Sequence, residues 1–241
     1  MPAVQPVSKR IVLMQPYFLP YLGYFQLMAA ADCFVIYDNV QFIKNGWIER
    51  NRYLLDGEAK WFGVPLGKSS HTRLILERQV SPLFDLDALL NRLDFAYRKA
   101  PRQRLMLDWL KALLSPAAAN IAELNERLLR ACCDLLGLQV PILRASELIE
   151  NSRFSGEARV IEMVQALGGT HYLNPMGGKA LYQQEHFGRE GLMLEFLRPY
   201  LPAYPQGGRD FLPGLSILDA LMFNEPAVVA DWARQGVVER G

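Results

Sequence analysis

A chain of 241 residues with 51% hydrophobic and 21% charged side chains can bury a large core without disulfide or metal staples, which excludes a disordered or fibrous protein. Lys plus Arg (26) nearly cancels Asp plus Glu (25), and a net charge of +1 leaves no electrostatic footprint for duplex nucleic acid or an anionic membrane surface. No apolar run is long enough to span a bilayer, and the first residues lack the pattern of a secretory leader. Cys33, Cys132 and Cys133 cannot all pair with one another, so a reducing, cytoplasmic setting is expected. The histidines, His71, His171 and His186, are scattered and give no metal-ligand spacing, so no metal site is expected.

The run RIVLMQ at 10–15 is β-branched and apolar and ends at a proline, which predicts a buried strand entering a loop. The helix formers of 24–32 and the apolar run of 33–38 follow, and strand, helix, strand in so short a span is the pattern of a parallel crossover. Residues 51–66 read as a hairpin around Asp56-Gly57. Residues 83–136 alternate at helical spacing, with breaks at Pro101 and Pro116, and are expected to form three helices inserted into a single α/β domain spanning 1–241. Strands are expected again at 139–146, 171–175 and 192–197, and helices at 156–167, 179–186 and 216–223. The fold class that follows is α/β: a mainly parallel, Rossmann-like sheet with helices on both faces, a β-hairpin and a helical insertion.

Ligands of open parallel sheets bind beyond the carboxyl ends of the strands, where strand order reverses. Gln15 and Tyr17, Asp38, Ser146 and Asn174 stand at four such strand ends, and Asp38, Lys44, Asn51 and Arg52 are expected to converge on one crevice with Gln15 and Asn174. Between 35 and 53 the chain is dense in long polar side chains beside aromatics, with Asp38, Gln41, Lys44, Trp47, Asn51 and Arg52 as candidate ligand contacts. LNPMGGKALY at 173–182 joins a strand end to Gly177 and Gly178, with Lys179 as a cation beside free helix amides; it lacks the spacing of a P-loop. The segment 204–224 adds a polar and aromatic loop and a helix carrying Ser216 and Asp219. With no G-x-S-x-G elbow, Ser216 reads as a helix N-cap rather than a nucleophile. Cys132 and Cys133 read as core.

The stretches QPYFLPYLGYF, ADCFVIYDNVQFIKNGWIERNRY, WFGVPL, AYRKAP, HYLNPMGGKALY and YPQGGRDFLPGLSILDALMFN, in that order, resemble the WbqC-like family over about residues 12–224. The positions shared with the family are Gln15, Pro16, Pro20, Gly23, Asp38, Gln41, Lys44, Trp47, Asn51, Arg52, Gly177, Gly178, Tyr182, Tyr204, Gln206, Ser216, Asp219 and Asn224. The resemblance implies a role in the assembly of bacterial surface glycans of the O-antigen type, in which an amino sugar on a nucleotide carrier receives an acyl or aminoacyl group. Tyr21-Leu22-Gly23-Tyr24 also stands where adenylate-forming α/β enzymes carry an H-I-G-H type signature, with tyrosine in both histidine places.

Three functions remain open on these grounds. An ATP-dependent ligase, with Mg²⁺, would join a small amino acid or acyl group to the sugar amine, with Asp38 as general base and Lys44 and Arg52 stabilising phosphate charge. A transferase would take the acyl group from a thioester. A non-catalytic protein would bind the sugar nucleotide without turnover. Gln15, Tyr17, Gly23, Tyr24, Gln41, Trp47, Asn51, Asn174, Gly177, Gly178, Lys179, Tyr182, Tyr204, Gln206, Ser216, Asp219 and Asn224 are the expected substrate contacts. The oligomeric state is left open.

Overall fold

The computed structural model describes residues 8–70, 72–149, 152–208 and 210–241. The first seven residues and His71, used in the sequence reading above, lie outside them. The chain opens with the strand β1 (Arg10–Met14), the helix α1 (Leu22–Ala30) and the strand β2 (Cys33–Ile36). The hairpin follows as β3 (Arg50–Leu55) and β4 (Glu58–Gly63), turning on Asp56 and Gly57, both at positive φ as a two-residue turn of this kind requires. Three helices come next: α2 (Leu86–Ala96), α3 (Gln103–Leu114) and α4 (Ile121–Leu136). Asp85 and Asn120 cap the first and last of these by accepting from Ala88 N and Glu123 N, and Gly137 ends α4 in the left-handed conformation.

The remaining elements are β5 (Ile142–Arg144), α5 (Ala145–Leu148), α6 (Gly156–Ala166), β6 (His171–Pro175), α7 (Gln184–Arg189), β7 (Met193–Arg198), α8 (Ile217–Phe223), α9 (Pro226–Ala233) and β8 (Val237–Arg240). Two expectations need correction. The helix expected at 179–186 is a 3-10 turn, Met176–Leu181, followed by the short α7, because the Gly177-Gly178 pair weakens a longer helix. The sequence reading also stopped before α9 and β8, although Pro226 at the first helical position is a start signal.

Six strands form one sheet in the order β5-β2-β1-β6-β7-β8, and the hairpin stands apart as a second, two-stranded sheet. Neighbours are parallel except for β7 and β8, which are antiparallel. The architecture is therefore α/β with a mainly parallel sheet. Side chains alternate between its faces and both are buried. Val12, Phe34, Ile36 and Leu173 join one apolar cluster, which includes residues of α1, α4, α8 and α9. Ile11, Leu13, Val35 and Tyr172 join another with α6 and α7. Strand β1 is central, and the chain moves from it to β2 on one side and later returns to β6 on the other. The reversal of strand order lies between β1 and β6, which places the loop after β1 at the position where such sheets bind ligands. Among the described residues no helix is long and apolar enough to cross a membrane.

Candidate functional site

The loop after β1 is held by a ring of buried donors. Gln15 O accepts from Tyr24 Oη at 2.9 Å, and Pro16 O from Asn125 Nδ2 at 2.8 Å. Phe18 O accepts from Asn51 Nδ2 at 3.0 Å. Leu19 O accepts from Asn51 Nδ2 at 2.9 Å and from Ser216 Oγ at 2.7 Å. Pro20 O accepts from Ile217 N at 2.9 Å, while Phe18 N donates to Trp47 O at 2.8 Å. Leu19 sits at φ 41°, a left-handed conformation that a branched side chain seldom adopts and that this network maintains. Two prolines and a crowd of aromatic rings thus make a fixed surface rather than a simple chain reversal.

That surface forms one wall of a cavity of about 250 Å³ lined by Tyr17, Pro20, Tyr21, Trp47, Asn51, Arg52 and Gly214. The Arg52 guanidinium lies 5.4 Å from the centroid of the Trp47 ring and donates to Gly214 O at 3.2 Å, with its Nε buried and unpartnered. Among the described residues no carboxylate pairs with it. Burial pushes the phenols of Tyr17 and Tyr21 above their ordinary range, so both stay neutral donors at physiological pH. Flat apolar faces beside a cation and phenolic donors suit a sugar ring or a planar base.

The six residues expected to share one crevice, Gln15, Asp38, Lys44, Asn51, Arg52 and Asn174, fall into separate groups. Asn51 and Arg52 ride on β3, which carries them onto the loop after β1, where Tyr17 and Trp47 meet them. Gln41 and Lys44 line a wider cleft formed by 40–45 and 64–70. Gln15 is half-buried at the end of β1, its carbonyl held by Tyr24.

Asp38 is 2% exposed and accepts from Ser146 N at 3.0 Å and from Ser146 Oγ at 2.6 Å. It ties the end of β2 to the first turn of α5. Asn can reproduce this geometry, with its oxygen facing the amide and its NH₂ facing the hydroxyl, whereas Ala cannot. Asp38→Asn is therefore expected to change stability by about 1 kcal/mol or less and Asp38→Ala to cost about 2–3 kcal/mol. Urea unfolding measures both, and equal losses for the two variants would refute the tie.

In β6, Asn174 Oδ1 accepts from Tyr172 Oη at 3.3 Å while Nδ2 is buried without a partner among the described residues. A Cβ on Gly178 would lie 2.1 Å from that Nδ2, so the glycine lets Asn174 pack under the 3-10 turn. Gly177 is exposed, with open space where a Cβ would stand. Exposed Lys179 reaches 5.8 Å from the Phe196 ring, and Tyr182 Oη accepts from Tyr172 Oη at 3.3 Å.

Tyr204 and Gln206 belong to a buried network on Asp219, described in the Discussion. Ser216 caps α8, accepting from Leu218 N, and Asn224 ends the helix by donating to Ala220 O. Tyr24, 1% exposed, has its hydroxyl spent on Gln15 O, and the Tyr21 ring fills the space over Gly23, where a Cβ would lie 2.5 Å from it. These two placements give the analogy with an H-I-G-H type nucleotide signature no support. Among the described residues no group of three or more His, Cys, Asp or Glu is placed to hold a metal ion.

Sequence reasoning missed Asn125, which is fully buried on α4 and donates to both Pro16 O and Ile48 O at 2.8 Å. It also missed Tyr21 and Gly214 as pocket lining and Arg78 as a buried cation. A polar residue on the apolar stripe of a helix was the signal for Asn125; a lone arginine gives none.

The model of the WbqC-like protein family matches residues 15–230, a span that contains the braced loop and the residues lining the pocket. The chain belongs to the WbqC-like family. A similar protein is an uncharacterized protein of Mycobacterium tuberculosis, 29% identical over 231 residues, which span 94% of this chain and 98% of that one. No solved structure matches. The WbqC-like match begins at Gln15, where β1 ends and the braced loop starts, and takes in β3, the 3-10 turn after β6 and α8.

Proposed function

We propose that this WbqC-like protein works in the assembly of a bacterial surface glycan of the O-antigen type, attaching an amino acid or acyl group as an amide to an amino sugar on a nucleotide carrier. The observation that carries the reading is the rigid pocket of Tyr17, Tyr21, Trp47 and Arg52, which offers stacking faces and donors to a sugar ring. Three free, buried cysteines accord with a cytoplasmic place of work, where reduced thiols persist.

Amide formation from a free carboxylate is uphill, so ATP or a thioester must drive it. A Mg²⁺ ion in such a reaction would be one that the nucleotide phosphates bring, since Mg²⁺ keeps waters and substrate oxygens as ligands. The pocket lining would bind and orient the sugar, and the Arg52 guanidinium would stand against developing negative charge.

A second reading, sugar-nucleotide binding without turnover, is favoured by one feature. Both carboxylate oxygens of Asp38 are engaged by Ser146, and no carboxylate or imidazole lines the pocket among the described residues. Release of pyrophosphate that depends on ATP, an amino acid and Mg²⁺ separates the ligase from both alternatives. In a direct binding titration Trp47→Ala should weaken sugar-nucleotide binding about 10-fold or more, as expected for loss of one stacking face and its cation–π contact. Undiminished affinity of Trp47→Ala for every amino-sugar nucleotide that the protein binds would rule out the pocket as the sugar site.

A further inference from the structure

The wider cleft that holds Gln41 and Lys44, between residues 40–45 and 64–70, has a volume of about 1080 Å³ and is separate from the aromatic pocket. Its cations are Lys44, Lys68 and Arg78, set against one carboxylate, Glu49. Arg78 is 8% exposed, and among the described residues the only hydrogen bonds of its guanidinium are long ones, Nη1 to Ser70 O at 3.4 Å and Nη2 to Gly67 O at 3.3 Å. Among the described residues its Nε is buried and unpartnered and no carboxylate pairs with it, while its guanidinium lies 4.8 Å from the Phe42 ring centroid. A buried guanidinium ordinarily has a carboxylate or comparable anion beside it, because neutral carbonyls at long range offset little of the lost hydration.

Exposed Lys44 and Lys68 come from the two opposing walls, and Ser69 and Ser70 add hydroxyls. The Glu49 carboxylate is anchored by Asn45 N at 3.0 Å, with its other oxygen buried and unpartnered, so an acceptor stands ready for a hydroxyl. Phosphate oxygens suit such a set of donors, and the volume exceeds what a single phosphate fills.

We propose that this cleft is a phosphate site that takes the diphosphate of a nucleotide-linked ligand, with Lys44 and Lys68 closing on it from either side over the positive field of Arg78 and Glu49 accepting from a ligand hydroxyl. The identity of the rest of the ligand rests on the sugar-nucleotide reading above; the diphosphate chemistry does not. The segment 44–52 contributes to both cavities, with Lys44, Asn45 and Glu49 lining this cleft and Trp47, Asn51 and Arg52 lining the aromatic pocket.

Titration calorimetry of inorganic pyrophosphate into the full chain tests the proposal without any sugar or base. Saturable binding is expected, weakening several-fold between low and physiological salt as exposed charges are screened. The double variant Lys44→Ala/Lys68→Ala, which alters only exposed side chains, should bind at least 10-fold more weakly with an unchanged melting temperature. Arg78→Gln should also bind more weakly, and Trp47→Ala should bind pyrophosphate as the wild type does. Absence of binding at low salt, or wild-type affinity in the lysine double variant, overturns the proposal. Pyrophosphate binding with these dependences but no gain in affinity for any sugar nucleotide leaves the cleft assigned and removes the sugar reading instead.

Discussion

Replacing Asp219 with alanine should cost about 3–5 kcal/mol of folding stability, read as a fall in the urea midpoint with an unchanged slope. Asp219 is fully buried on α8 and accepts from three side chains: Tyr97 Oη at 2.9 Å, Tyr204 Oη at 2.7 Å and Gln206 Nε2 at 2.9 Å. Gln206 in turn clamps Leu212 through both its N–H and its C=O. The carboxylate thus fastens the loop before α8 to the end of α2, and Tyr204 adds a stacked contact with Trp232 at 5.5 Å. Alanine leaves two phenols and an amide buried without their acceptor.

Burial holds the Asp219 carboxyl above its usual range, against the lowering effect of its three donors. The native state therefore keeps this proton to higher pH than the unfolded chain does. The Asp219 contribution to stability is fully present below the ordinary carboxylate range and declines as pH rises through the raised native pKa. Asp219→Asn should remove that part of the pH dependence. A variant whose stability falls with pH as steeply as the wild type in that window would exclude Asp219 as its source.

The sequence made the sheet legible where local pattern and tertiary burial agree. Runs such as Val12 to Leu13 and Phe34 to Ile36 are apolar throughout because parallel strands are covered on both faces, and the turn at Asp56-Gly57 states its own geometry. The prolines at 101 and 116 marked the gaps between helices. The arrangement of the site was less legible, since it depends on contacts between residues distant in the chain. Asn51 and Ser216 looked like ligand contacts, yet both hold the main chain of 18–19, and Asp219 holds Tyr97 across 122 positions. A polar residue that braces a carbonyl and one that binds a substrate have the same appearance in sequence. Burial shows the bracing role: Asn51 is 3% exposed and Ser216 1%, and of the two Asn51 also lines the pocket.

Asn51 gives the second large effect. Its Nδ2 donates to both Phe18 O and Leu19 O, and its Oδ1 accepts from Arg52 N at 2.8 Å. Leu19 keeps the Ser216 hydroxyl when Asn51 is lost, but no other donor to Phe18 O is found among the described residues. Asn51→Ala should therefore cost about 2–4 kcal/mol, combining an unsatisfied buried carbonyl and a small cavity, less whatever the Leu19 backbone regains by relaxing. Asn51→Asp, though closer in shape, should be worse, because an ionised carboxylate would place acceptors against two carbonyl oxygens in a buried site. The pocket should fail with the loop: Tyr17, Pro20 and Tyr21 stand on the segment that Asn51 fixes, so any ligand held there should lose affinity even when Asn51→Ala is assayed well below its melting temperature. Chemical unfolding of both variants, followed by ligand titration of the alanine protein, checks the chain of reasoning. An aspartate variant more stable than the alanine one would show that the Asn51 amide is not the donor that shapes the loop.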